Sequence, residues 1–92
     1  MQILFTKVVH FTRLIKAGGR LREFNIRKMR LADDDVFSID TVDDRGNRII
    51  FRMQKESNGT WNIVPLDQIL PAWIGEVEQK LREQIDNALH QN

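Results

Sequence analysis

Apolar and polar residues alternate along three consecutive stretches of the chain. Phe37, Ile39 and Thr41 fall on one side, with Ser38 and Asp40 on the other. Ile49, Phe51 and Met53 stand against Arg52 and Gln54, and Trp61 and Ile63 stand against Asn62. A period of two is the signature of a strand with one packed and one solvated face. It predicts strands over about 36–43, 48–56 and 60–64. Turn signals separate these stretches at hairpin spacing: Ala17-Gly18-Gly19, Ala32 to Asp35, Asp43 to Asn47, and Ser57-Asn58-Gly59. Gly18-Gly19 reads as the tip of a hairpin and Asn58-Gly59 as a type I′ turn, both supplying the positive φ values that tight hairpins need.

The earlier part of the chain is less regular. Over 20–31, Phe24 and Ile26 share a face, whereas Met29 and Leu31 fall on the other. A β-bulge accounts for such a change of phase, as does a strand end buried on both sides. Residues 8–16 read as a further strand, because Val8, Val9, Phe11, Thr12 and Ile15 favour sheets. A helix is the alternative there, since Leu4, Val8, Phe11 and Ile15 also lie at helical spacing.

The period changes at the C-terminal end. Leu70, Ile74, Val77, Leu81, Ile85 and Leu89 recur at steps of three and four, predicting one amphipathic helix over 69–90 with Pro71 in its first turn. Glu76 with Lys80 and Glu78 with Arg82 form i,i+4 pairs, expected on its outer side. Gly75 either admits close approach to the sheet or marks a gap, and Trp73 is expected to cap the core near Trp61. The fold class is therefore α+β: an antiparallel meander of four or five strands packed on one long C-terminal helix, forming a single domain over 1–92. The alternative is a small pleckstrin-like barrel with a C-terminal helix.

Composition narrows the chemistry more than the fold. Ninety-two residues with 41% hydrophobic content support one core. Cysteine and tyrosine are absent, which removes disulfides, thiolate metal sites and cysteine nucleophiles. Ser38, Ser57, His10 and His90 are poorly placed for a triad, and no glycine-rich phosphate loop is present. Asp33-Asp34-Asp35 and Asp43-Asp44 sit at opposite ends of one predicted strand and cannot share a cation. Asn58-Gly59-Thr60 matches a glycosylation acceptor but reads as a turn. The reading is a non-enzyme with no catalytic, cofactor or metal residues, cytoplasmic, with no membrane-spanning run and no secretion signal.

Charge adds a second possibility. Residues 1–31 carry eight bases and one acid, whereas residues 32–67 carry eight acids and four bases. Arg20, Arg22, Arg27, Lys28 and Arg30 concentrate on one strand and form a candidate polyanion-binding set. Cross-strand pairing with Asp40, Asp43, Asp44 and Glu56 is the competing account. The second sheet face would carry Val8, Leu14, Leu21, Met29, Leu31, Val36, Val42, Ile50 and Val64. A face so apolar suits a protein-interaction or self-associating module, with a homodimer or another protein as partner. Nucleic-acid binding is the alternative function.

Overall fold

The computed structural model describes residues 9–29 and 36–90. Five strands, β1 (His10–Ala17), β2 (Arg20–Lys28), β3 (Val36–Val42), β4 (Arg48–Lys55) and β5 (Trp61–Pro65), precede one helix, α1 (Ile74–Leu89). The strands form a single antiparallel sheet in the order β1-β2-β3-β4-β5. The meander and the C-terminal helix are thus those predicted. Residues 10–17 are strand, not helix; the earlier part of the N-terminal segment, with Val8, lies outside the described residues.

The turns set the register. Gly18 and Gly19, at φ 60° and 79°, close a two-residue hairpin between the paired residues Ala17 and Arg20, as a type I′ turn requires. The other two hairpins share a different device. Gly46 N–H donates to Asp43 O while Asp43 N–H donates to Asn47 O, and Gly59 N–H donates to Glu56 O while Glu56 N–H donates to Thr60 O. This is a type I turn closed by a left-handed glycine bulge, so Gly59 ends the turn and the expected type I′ geometry at Asn58-Gly59 is not formed. Asp43 completes its turn by accepting from the Arg45 and Asn47 amides at 2.9 and 2.8 Å. The Asn47 amide bond leads the causes that lower its carboxyl pKa below the usual value. Those turn bonds therefore persist above the unfolded pKa and are lost as pH falls through the lowered one.

No bulge interrupts β2. Its pairing to β1 runs without a slip from His10↔Arg27 to Ala17↔Arg20, and Arg22, Phe24 and Ile26 stay on one face. The change of phase at Met29 arises because the strand has already ended at Lys28. Leu31 lies outside the described residues.

Phe24, Ile26, Phe37, Ile39, Phe51, Met53 and Trp61 from the sheet meet Ile74, Val77, Leu81 and Ile85 from the helix in one core. The helix begins at Ile74, later than predicted. Three i→i+3 bonds, from Ile74, Gly75 and Glu76 back to Pro71, Ala72 and Trp73, make a tight turn ahead of it. Its sixteen residues run about 24 Å. Side-chain contacts to β1 and the turn after it run from Glu76–Gly18 to Gln84–Arg13, and those to β5 from Glu78–Ile63 to Arg82–Trp61. The helix therefore lies lengthwise, antiparallel to both edge strands. Helix and strands approach most closely at β1 and β5, so α1 occupies the opening that a closed barrel would seal by pairing those strands. The barrel alternative does not form.

Trp73 is not near Trp61. Trp61 stands edge-on to Phe37 with ring centroids 5.2 Å apart, whereas Trp73 meets Phe24 at 6.4 Å beside the β1–β2 turn. Gly75 is exposed, and a Cβ there would meet nothing within 4 Å. Neither close approach nor a packing gap explains it. Gly75→Ala should therefore raise stability by about 0.5–1 kcal/mol through helix propensity alone. Thermal unfolding should read this as a melting temperature several degrees higher; a lower one would contradict the placement.

Candidate functional site

Alternation along β2 divides the candidate polyanion set between two faces. Arg20, Arg22 and Lys28 project to the helix side of the sheet, and Arg27 projects to the outer side, between His10 and Ser38. Arg30 lies outside the described residues. The four described cations are therefore not one stripe.

Arg22 belongs to the core. Its side chain is 4% exposed, its Nε donates to Ala17 O at 2.8 Å, and its guanidinium lies 3.9 Å from the centre of the Trp73 ring. Gly18 completes this cluster, since a Cβ there would sit 3.0 Å from Trp73. Asp44, on the next hairpin, pairs with Arg22 at 3.0 Å and with the exposed Arg20 at 3.2 Å. Of the acids expected to pair with the basic residues of β2, Asp44 does so. Asp40 instead accepts from Asn25 at 2.9 Å and Arg48 at 3.1 Å, and Asp43 serves its own turn.

The pairing of β2 with β3 stops at Asn25↔Asp40. Beyond it the buried Thr41 hydroxyl donates to Glu23 O at 2.8 Å in place of a ladder bond. The parted strands leave an open cleft of about 290 Å³, lined in part by Leu21, Glu23, Thr41 and Val42.

Outer-face residues are less uniformly apolar than predicted. Val36 is buried at the start of β3, bonded to Met29 N–H, while Met29, Ile50 and Val64 are half-buried. Thr12, Asn25, Asp40 and Arg48 link by side-chain hydrogen bonds across the middle of the face. The exposed aliphatics of the outer face gather at one corner, Leu14 at 66%, Leu21 at 63% and Val42 at 53%, beside the cleft, whereas Leu66 and Ile69 are exposed after β5 and Leu89 at the end of the helix. That corner is the candidate site.

The two sheet edges differ in kind. Glu56 N–H bonded to Thr60 O fixes the β5 register, so Trp61, Ile63 and Pro65 turn their main-chain groups outward. Arg82 Nε donates to Trp61 O at 2.6 Å, Ile63 N–H donates to Glu78 Oε2 at 2.9 Å, and Pro65 has no N–H. Beyond Pro65 the Gln68 amide stands in for a strand, accepting from Ile50 N–H at 2.9 Å and donating to Arg48 O at 3.0 Å. The Glu78–Arg82 pair expected on the helix's outer side is therefore an edge clamp. Pro65 was the sequence signal for a closed edge; Gln68 carried none. No protein-family model, no curated protein and no solved structure matches the chain.

Proposed function

We propose that this chain is a small, non-enzymatic protein-interaction module of the cytoplasm, working through the corner formed by Leu14, Leu21 and Val42. The observation that carries this reading is their clustering on an open sheet face whose centre is otherwise tied by polar bonds. Exposed aliphatics gathered beside a cleft mark association surfaces more often than scattered ones do. No helix among the described residues is long and apolar enough to cross a membrane.

A photoreactive phenylalanine analogue placed at Leu21 should yield, on irradiation in cells, a discrete polypeptide adduct, whether a second copy or another protein. The same analogue at Lys80, exposed on the helix, should yield none. Lack of an adduct at Leu21, or equal adducts at both positions, would overturn the reading.

Polyanion binding has less support, because Arg22 is enclosed and Arg20 shares Asp44 with it. Fluorescence anisotropy with labelled single- and double-stranded oligonucleotides should give no submicromolar binding at physiological salt. Binding lost when Arg27 and Lys28 become Glu, with a steep salt dependence, would reverse this ranking.

A further inference from the structure

We propose that the outer edge of β1 takes an extended strand of another polypeptide, with acidic and apolar residues in alternation; this rests on the protein-interaction reading. Lys28 N–H donates to Val9 O at 2.9 Å, and the register from there directs the main-chain groups of His10, Thr12, Leu14 and Lys16 away from β2. Arg13 caps Thr12 O at 2.9 Å and Glu76 caps Gly18 N–H at 3.2 Å. Between those caps, no described residue bonds the outward N–H and C=O groups of Leu14 and Lys16. Thr12, Arg13 and Leu14 are exposed in succession, while Ile15 is buried towards the helix, so the outer face of the strand is the uncovered one there. Sheet proteins ordinarily blunt both edges. Here β5 is closed by Arg82, Glu78, Pro65 and Gln68 together, and the window at Leu14–Lys16 is left open.

Charge selects the occupant. β1 carries His10, Arg13 and Lys16 and no acid. The nearby acids are Glu23, opposite Leu14 on β2, and Glu76, engaged by Gly18. A second copy paired here would bring two basic strands together, whereas an acidic strand meets complementary charge. Leu14, on the outer face, offers apolar contact to a side chain of the added strand, while acids on its other face reach Arg13.

The test uses an acetylated, amidated peptide of alternating valine and glutamate, with a valine–lysine peptide as control. In nuclear magnetic resonance titrations the glutamate peptide should shift the Thr12–Lys16 amides, slow exchange at Leu14 and Lys16, and weaken with added salt. Lys16→Pro removes an outward N–H that the β1–β2 ladder does not use, and should weaken binding roughly tenfold with the fold intact. Arg13→Glu should move preference towards the lysine peptide, which keeps the proposal testable if the proline variant misfolds. Equal binding of both peptides, no binding of either, or a dimer protecting the β1 amides would each overturn it. Failure here alongside a polypeptide adduct at Leu21 would sink the edge assignment alone; failure of that adduct would sink the broader reading.

Discussion

Replacing Leu81 with Asp should leave the protein without a cooperative folded state. Leu81 is fully buried at the centre of the helix stripe, among residues of the single core. Truncating such a leucine already costs about 2–5 kcal/mol. A carboxylate there must also either stay charged without a partner or take up a proton, and both add to the loss. A domain of this length has a total stability of about 5–14 kcal/mol, so one substitution consumes most of it. Lys80→Asp, one position away on the exposed side, should change stability by no more than about 0.5 kcal/mol. Circular dichroism melts of the two variants make the comparison. A Leu81→Asp protein that melts with wild-type temperature and sharpness would mean the stripe does not face the sheet.

That stripe was legible in the sequence because a period of 3.6 and a period of 2 are local properties, readable without knowing what lies opposite. Phe37, Ile39, Phe51 and Trp61 announced the packed face in the same way. What the sequence concealed depends on distant partners. The start of the helix moved to Ile74 because the tight turn after Pro71 uses i→i+3 bonds that residue spacing does not reveal. Gly59 was a recognisable turn residue, yet whether it ends a bulged type I turn or completes a type I′ turn depends on how the strands meet. Glu78 and Arg82 looked like a solvent-side pair because i,i+4 geometry says nothing about a strand edge lying alongside. Their bonds to Ile63 and Trp61 arise only because α1 fills the opening between β1 and β5. Of the candidate site, Leu14, Leu21 and Val42 were correctly placed on the second face by alternation. Val36 belonged to the same list and is buried. The division of the basic set also followed from alternation, since Arg27 and Arg22 differ by an odd number of positions. The enclosure of Arg22 did not, because it requires Trp73 to fold back over β2 from fifty-one residues away.

Arg22→Ala is expected to destabilise the fold by about 2–4 kcal/mol, within the range of large-to-small changes at enclosed positions. The loss comes from packing and the neutral acceptor more than from the ion pair. Removing the guanidinium strips the cover from one face of Trp73, a stacking contact of about 0.5–2 kcal/mol. It also deletes the Nε donor to Ala17 O at the buried end of β1. The partner carboxylate of Asp44 is 62% exposed, so water screens the charge attraction and the pair contributes at most about 1 kcal/mol. Three variants separate these contributions by denaturant unfolding. Asp44→Asn should cost under about 1 kcal/mol. Arg22→Lys keeps the charge but loses the planar fork and the stack, and should fall close to Arg22→Ala instead of wild type. Added salt should change the Arg22→Ala difference little, because dispersion and a hydrogen bond to a neutral carbonyl are not screened. Should Asp44→Asn prove as damaging as Arg22→Ala, or should Arg22→Lys restore wild-type stability, electrostatic pairing would be the dominant contribution. Arg22 would then have to be returned to the cations available for an anionic partner.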